Sequence, residues 1–476
     1  MKKQLLSGLI TIAVATAGVA QNNTTNNQVG DHQKTSQYQT GNLQTSSINQ
    51  LEGTGQNYGN QARTNQSGLR ANNATVNQND GSSSNYADVN QTAGAAVGNA
   101  ALVSQSKNSG GGTPTTPVGG GQPLPGSREG NYAYVQQIGN NGVVVLQEGG
   151  PRGGSNGNVS VTSQVGTNTT SVYQLDNSAN NLSMIEQGTT GTPVVGSDAT
   201  VSQTGGALGS SNGNRATITQ RQGGQTATVY QTNYSADNKG TINQEAGAGT
   251  GLILQNNLSY ANDAQINQWT GAGANTATIT ETTNSHDNSA TINQYDAGST
   301  ATIEQIAETA NNRATINQGS AQTQGLGNVA FIRQSYAYAE GSLNGNQATV
   351  NQNTTAGGGG NIGEVYQGQS PASVGYPRIE ALGISSQNTA TVSQQGSSNR
   401  GRVFQVGDGQ TATVSQTGNN NVVRGTGLNE FYEYATQYGA GNTLSITQTN
   451  LTAPNTAASF QYGTGNASTV VQTGSN

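Results

Sequence analysis

Short segments in which apolar and polar residues alternate recur along the chain from Gln50 to the C-terminus. In residues 312–318, Ala314 and Ile316 alternate with Arg313 and Thr315 and are flanked by Asn312 and Gln318. Successive side chains of a strand point to opposite faces, so the pattern predicts strands with one face of amide, small, branched and amide residues. Residue types on this face barely change between copies, so we predict that it points inward. The residues predicted to form this inward ladder are Asn214, Ala216, Ile218, Gln220, Asn288, Ala290, Ile292, Gln294, Asn312, Ala314, Ile316, Gln318, Asn346, Ala348, Val350 and Gln352.

The spacing between the glutamines that close these segments defines a larger unit. Short and long steps alternate regularly through Gln220, Gln231, Gln244, Gln255 and Gln268. One short and one long step together give two strands per unit of about 24 residues, and fixed periods of this size are typical of solenoids. The strict motif Ala-Thr-Ile/Val-x-Gln occurs ten times. We therefore predict an all-β fold, a β-solenoid of stacked strand-turn-strand layers with cross-β, amyloid-like amide ladders.

Composition excludes an ordinary globular core. Only 8% of the 476 residues are charged and 5% are aromatic, 68 are glycine, and cysteine is absent. Such a chain is either disordered or held by repetitive stacking, and the regular register favours stacking. Removing Lys2 and Lys3 with a leader leaves 15 basic against 23 acidic residues, a net charge of −8. This balance disfavours nucleic acid and anionic lipid as partners.

The chain divides into five segments. Residues 1–20 have the basic start, apolar stretch and small residues of a signal peptide cleaved before Gln21, which predicts secretion. Residues 21–45 are rich in Asn, Gln and Thr and are predicted to be flexible. Repeats follow in 46–105 and 132–476, separated by a Gly/Pro-rich insertion or linker at 106–131. No later segment is long and apolar enough to span a membrane, so no membrane insertion is expected.

The last repeats are predicted to form an open polymerisation edge. The final copy ends at Gln472, shortly before the end of the chain, and neither a helix nor a charged run caps it. An unpaired strand edge templates pairing with another chain. The residues predicted to form this edge are Asn442, Ile446, Gln448, Asn466, Val470 and Gln472.

The sequence offers little chemistry for catalysis, and no catalytic residue, cofactor or metal ligand is predicted. His32 and His286 lie in turn-like sequence without spaced partners, so we expect solvated loop residues. Glu281 replaces the closing glutamine of one repeat. This substitution indicates either a frayed layer or a pH-sensitive brake on stacking. Aromatic residues beside the closing glutamines are predicted to lie on the outer surface, namely Tyr173, Tyr230, Trp269, Tyr295, Tyr366, Phe404 and Tyr462.

The stretch 288–305 resembles curlin, the subunit of bacterial curli fibres. Curlin repeats carry an inward Ser or Asn, a Gln six positions later, a nearby Gly, and then Asn-x-Ala with a second Gln. The matching positions here are Asn288, Ala290, Gln294, Gly298, Ser299, Ala301 and Gln305, with Ser299 where the family has Asn. The chain departs from curlin in its greater number of repeats and in the insertion at 106–131.

The resemblance implies a non-enzymatic subunit that polymerises with copies of itself into extracellular functional amyloid at the bacterial cell surface. It further implies secretion through an outer-membrane pore with accessory factors, a nucleator subunit as a partner, and a role in biofilm adhesion. Two alternatives stay open. One is a soluble or surface-anchored solenoid adhesin, including an ice-binding type, although outward Thr forms only one partial rank here (Thr291, Thr302, Thr315). The other is a solenoid enzyme, for which clustered charged residues are lacking.

Overall fold

The computed structural model describes residues 22–474 apart from eighteen segments. The segments left out are 31–32, 52–58, 80–84, 94–97, 107–129, 149–156, 177, 190–191, 206–210, 246, 270–273, 307–308, 320–326, 336–344, 355–358, 369–385, 425–433 and 451–452. The predicted signal peptide, His32 and most of the predicted insertion at 106–131 lie outside the described residues.

The described residues form strands and contain no helix, in two units. The first unit comprises Met1–Gly223 and Gln231–Tyr234. Its strands are β1 (Asn23–Val29), β2 (Lys34–Gly41), β3 (Thr45–Leu51), β4 (Gln61–Gly68), β5 (Asn73–Asn79), β6 (Tyr86–Ala93), β7 (Ala100–Ser106), β8 (Tyr132–Gly139), β9 (Gly142–Glu148), β10 (Val159–Leu175), β11 (Ser178–Ala179), β12 (Leu182–Gln187), β13 (Val194–Thr204), β14 (Ser211–Asn212) and β15 (Arg215–Gln220).

The second unit comprises Gly224–Tyr230 and Ser235–Asn476. It holds most of β16 (Thr226–Thr232), then β17 (Lys239–Gln244), β18 (Gly249–Asn256), β19 (Asp263–Gln268), β20 (Asn275–Thr282), β21 (Ser289–Gln294), β22 (Thr300–Ile306), β23 (Arg313–Gln318), β24 (Val329–Ser335), β25 (Gln347–Asn353), β26 (Ile362–Gln367), β27 (Thr389–Gln395), β28 (Arg400–Asp408), β29 (Thr411–Thr417), β30 (Val422–Arg424), β31 (Ala435–Ala440), β32 (Thr443–Thr449), β33 (Thr456–Ala458), β34 (Phe460–Thr464) and β35 (Ala467–Thr473).

Most strands pair in parallel with the next strand but one; the long β10 and the short extra strands shift this count, so that β12 pairs with β15, β28 with β31 and β32 with β35. These pairings make two ladders in each unit. In the first unit β1 pairs with β3 and β2 with β4. In the second, β19 pairs with β21 and β20 with β22. Each layer therefore contains two consecutive strands, one in each ladder. The observed architecture confirms the predicted all-β solenoid of two-strand layers.

The register places like residues on top of one another. Ile266 aligns with Ile292 and Ile292 with Ile316, and all three are buried. The interior between the ladders is narrow. A Cβ atom added to Gly251 would lie 2.9 Å from Cγ2 of Ile242 on the facing strand. Small residues on the inward face are thus required by the close approach of the two ladders.

Turns that follow the closing glutamines have backbone conformations that favour glycine. Gly396 and Gly418 have φ angles of 108° and 101°. They stack on each other, because a Cβ added to Gly396 would lie 2.0 Å from the carbonyl oxygen of Gly418. Any other residue at these positions combines strain with a steric clash.

Residues 21–45, predicted to be flexible, contain β1 and β2. The alternation persists there, but Asn26 and Gln37 occupy the positions held by Ile48 and Thr64 in the following layer. Backbone pairing and the closing amides continue the ladders, although the inward branched residues are missing. A search for strands by their alternating apolar residues alone would not recognise such a layer.

Candidate functional site: the stacked amide ladders

The inward face predicted from the sequence lies between the two ladders. The structure places all four predicted residues of β15 and its N-terminal flank, Asn214, Ala216, Ile218 and Gln220, at zero exposure. The corresponding residues on and before β21, β23 and β25 are also buried, with at most 2% exposure, namely Asn288, Ala290, Ile292, Gln294, Asn312, Ala314, Ile316, Gln318, Asn346, Ala348, Val350 and Gln352. These side chains form continuous ranks along the stack.

In one of the two strand ladders of the second unit, starting at β17 and ending at β35, the closing glutamines form a chain of side-chain hydrogen bonds. Each side-chain Nε2 donates to Oε1 of the glutamine in the next layer, at 2.8–3.0 Å. The members are Gln244, Gln268, Gln294, Gln318, Gln352, Gln394, Gln416, Gln448 and Gln472. The amide dipoles of this rank therefore all point in one direction.

The first unit repeats the arrangement in both of its ladders. One rank begins at Gln28, whose Nε2 donates to Gln50 at 2.8 Å. The other begins at Gln39, whose Nε2 donates to Gln66 at 2.8 Å. Again each amide donates toward the later layer. The polarity of hydrogen bonding is thus the same in the two units.

The second Nε2 hydrogen of each glutamine ties the two strands of a layer together. Gln294 donates to the carbonyl oxygen of Thr276 at 3.0 Å, and Gln318 donates to that of Thr300 at 2.9 Å. Both hydrogens of the carboxamide are thereby used inside the protein. Buried amides without partners would cost roughly 1–3 kcal/mol each, so this pairing makes a polar interior stable.

Inward asparagines form a different rank, at the start of each strand. The backbone N–H of Asn312 donates to Oδ1 of Asn288 at 2.9 Å, and the N–H of Asn346 donates to Oδ1 of Asn312 at 2.7 Å. The asparagine side chain thus accepts the first N–H of the next layer and fixes where its strand begins.

The six residues predicted to form an edge belong to two layers. Asn442, Ile446 and Gln448 flank or lie on β32 and are fully buried, because β35 covers them. Asn466, Val470 and Gln472 lie one layer further on and are half-buried or exposed. Asn442 and Asn466 occupy equivalent positions in successive layers, and the N–H of Asn466 donates to Oδ1 of Asn442. Beside β35, the last described layer contains Ser459 and Gln461.

Glu281 on β20 interrupts the glutamine rank of its ladder. It is fully buried, and its Oε2 accepts from Nε2 of Gln255 at 2.7 Å. Burial raises the pKa of this carboxyl to about 8; the hydrogen bond from Gln255 lowers it, and the charge of Asp263 raises it further. A frayed layer is therefore wrong for this position.

Most of the predicted outer aromatics are exposed or half-buried, and some stack. The rings of Trp269 and Tyr295 are 4.4 Å apart and nearly parallel. Phe404 is an exception with 5% exposure. It lies on the outward face of β28, but Val406 and Tyr438 cover it. Tyr438 comes from β31 in the next layer, and the sequence pattern does not reveal this contact.

An outward asparagine rank was missed by sequence reasoning. Its Nδ2-to-Oδ1 bonds of 2.8–2.9 Å join successive layers through Asn243, Asn267, Asn293, Asn317 and Asn351. These residues all precede a closing glutamine. Their recurrence at that position is the sequence signal from which this rank could have been found.

Within the described residues, no group of three or more acidic or histidine side chains is arranged to hold a metal ion. Nor does that part of the chain contain a helix long and apolar enough to cross a bilayer.

His286 contacts Asp287 at 3.0 Å and stacks on Tyr260. A surface groove of about 400 Å³ beside β25, β27 and β29 is lined by amide, hydroxyl and glycine residues and no titratable side chain, namely Asn317, Gly319, Asn351, Gln352, Asn353, Ser393, Gln394, Gln395, Ser415, Gln416 and Thr417.

Part of the chain matches a known family. Residues 386–418 and 411–449 match the model of the curlin associated repeat. This region contains β27, β28, β29 and β32, which carry the inward faces and glutamine ranks described above. No significant match was found among curated proteins.

Proposed function

Because this chain belongs to the curlin repeat family, we propose that it is a structural subunit of an extracellular, amyloid-type fibre. In this proposal copies of the chain assemble head-to-tail at the bacterial cell surface, and the fibre supports adhesion in the biofilm matrix. Family membership and the all-β repeat fold are those of a structural protein, not of an enzyme.

The directional glutamine ranks are the observation that carries this proposal. Every amide donates to the layer that follows it, so each layer is both a template for the next and a copy of the one before. In the last described layer, Gln472 donates to the carbonyl oxygen of Thr456 at 2.8 Å. In the first described layer, Oε1 of Gln28 and of Gln39 accept no hydrogen bond from the described residues. Donors at one end therefore complement acceptors at the other.

The stacking rule also fixes how two copies would meet. Each strand of the last layer stacks on the equivalent strand of the layer before it, β34 on β31 and β35 on β32, so β1 of the next copy would stack on β34 and β2 on β35. The closing glutamines fit this arrangement, because Gln28 and Gln39 have the same separation along the chain as Gln461 and Gln472. We propose that Gln461 pairs with Gln28, and Gln472 with Gln39, of the next copy.

The remaining expectations from the family follow from the fibre proposal. Export would use the predicted signal peptide and an outer-membrane pore with accessory factors. A nucleator subunit would start the fibre, with this chain adding to it.

A non-polymerising solenoid with an ice-binding face is less well supported. Thr291, Thr315 and Thr349 do stack in an outward rank. In the same rank, however, Gln265 replaces threonine. On the other ladder, Thr302 is followed by Phe331 and then Glu364. A flat and regular threonine surface is not maintained.

Engineered cysteines test the proposed junction, since the chain has no cysteine of its own. Pairing Gln472 with Gln39 places outward Thr469 beside Ser36 of the next copy. Paired strands lie about 4.8 Å apart, which is within the Cα separation that a disulfide spans. We expect the variant with Thr469→Cys and Ser36→Cys to form disulfide-linked oligomers when oxidised after assembly.

The matched control is Thr469→Cys with Thr40→Cys, which displaces one cysteine by about 13 Å along the strand. Oligomers linked in the first variant and not in the control support the junction. Fibres that form but cross-link equally in both variants would overturn the register. A wild-type chain that stays monomeric would overturn the fibre itself.

A further inference from the structure

Two buried oxygen atoms face the same gap in the rank that contains Glu281. Oε1 of Glu281 and Oε1 of Gln305 both lack a hydrogen-bond partner. The two residues are paired in register on β20 and β22. On the facing strand of the same layer, the equivalent Gln294 donates to Gln318 at 2.9 Å. Glu281 therefore stands where the ladder requires a donor.

The neighbouring bonds leave only one way to fill the gap. Gln255 already donates to Oε2 of Glu281, and Nε2 of Gln305 donates onward to Gln334 at 2.8 Å. An ionised carboxylate can only accept hydrogen bonds, so it would leave two acceptors opposed. A proton on Oε1 would turn Glu281 into a donor and satisfy both oxygens.

We propose that Glu281 is a protonated carboxylic acid in the folded ladder, that its O–H donates to Oε1 of Gln305, and that loss of this proton destabilises the fold. The proton is taken from solvent on folding and returned on unfolding. The inference concerns the single chain and holds whether or not the chain forms fibres.

The charged surroundings are compatible with a neutral carboxyl. Among the described residues of β18, β19, β21 and β22, which pack against β20, the charged side chains are Asp263 and Glu304. Asp263 is engaged with Lys239 at 3.0 Å, and Glu304 with Arg333 at 3.4 Å. None of these supplies a positive charge to Glu281 inside the ladder. An anion there would be buried without a counter-ion, which is strongly unfavourable.

The sign of the pH dependence follows from the raised pKa. Glutamate in an unfolded chain has a pKa of about 4.3, whereas burial raises that of Glu281 to about 8. The stabilising effect of the proton is therefore complete below about pH 4.3 and is lost as the pH rises to about 8. Between these values the folding equilibrium constant is expected to fall by up to about tenfold per pH unit.

Native-state hydrogen exchange of the full chain between pH 4 and 9, followed at β20, tests the inference. Glu281→Gln restores the amide and should abolish this part of the pH dependence. Glu304→Gln, which removes an outward carboxylate one layer away, should keep the wild-type profile. We expect the wild-type equilibrium constant for closing the region around β20 to fall at least about 100-fold between pH 5 and pH 8 relative to Glu281→Gln. Parallel profiles for the wild type and Glu281→Gln would overturn the inference.

Infrared difference spectroscopy gives a second readout that needs no unfolding transition. With glutamate labelled at its side-chain carboxyl carbon, the wild type at pH 6 should show a protonated carboxyl band that is missing from Glu281→Gln. Absence of that band in the folded wild type would show that Glu281 is ionised and would refute the proposal.

Discussion

Replacing a single inward glutamine tests the energetic role of the ladder. Gln268→Leu keeps nearly the same side-chain volume but removes three hydrogen bonds of the second unit. Gln244 loses its acceptor at 2.8 Å, Gln294 loses its donor at 2.8 Å, and the carbonyl oxygen of Thr250 loses a donor at 3.2 Å. All of these partners lie in or beside the buried interior.

The magnitude can be worked from those three groups. Leaving three buried polar groups unsatisfied costs about 2 kcal/mol each, or about 6 kcal/mol. Burying the leucine side chain offsets about 2 kcal/mol of that loss. We therefore expect the free energy of opening around β19 to fall by about 4 kcal/mol, which is roughly a thousandfold in the opening equilibrium.

Native-state hydrogen exchange is the appropriate assay, because a repeat array does not unfold in two states and exchange reports each region separately. The control is Gln265→Leu on the same strand, whose outward side chain makes one hydrogen bond of 3.3 Å to Asn267. We expect that variant to change the opening free energy by about 0.5 kcal/mol or less. Equal loss of protection in the two variants would refute the claim that the inward amides stabilise the stack.

Two further substitutions address the interior and the proposed edge. Ala290→Leu should destabilise the layer by about 1–3 kcal/mol because the ladders approach too closely for a larger residue, whereas Thr291→Leu on the outward face should have little effect in the same exchange measurement. Val470→Asp places a charge on the half-buried face of β35 and should slow fibre elongation sharply in a seeded growth assay, whereas Val471→Asp on the outward, 66% exposed face should not. Combining Val470→Asp with Ile446→Asp would also disrupt the layer beneath, so the single variant is the cleaner test; unchanged growth would show that β35 is not a growing surface.

The fold could be predicted from the sequence because its rules are local. Alternation in residues 312–318 assigns both faces of a strand, and the alternating short and long steps between closing glutamines assign two strands to a layer. Pairing between identical residues then follows, because only an in-register stack lets each Gln meet another Gln. The match of residues 386–449 to the curlin repeat confirms the resemblance inferred from residues 288–305.

Other features depend on positions that the pattern does not encode. The pattern does not encode the direction in which the amides donate, so the meaning of Glu281 emerges only when the unpaired oxygens of Glu281 and Gln305 are seen. Phe404 is covered by Tyr438 from the next layer, and the strands β1 and β2 lack the apolar residues by which strands are recognised. Asn442 and Asn466 are a full layer apart, so Ile446, which lies in the same layer as Asn442, is one layer inside the predicted edge.

Fibre diffraction on the purified, leader-free chain tests the central claim most directly. We predict spontaneous assembly under native conditions, with a meridional reflection at about 4.7–4.8 Å from strand stacking and an equatorial reflection at about 10 Å from the facing ladders. A chain that folds but stays monomeric at all concentrations, and gives no such reflections, would contradict it.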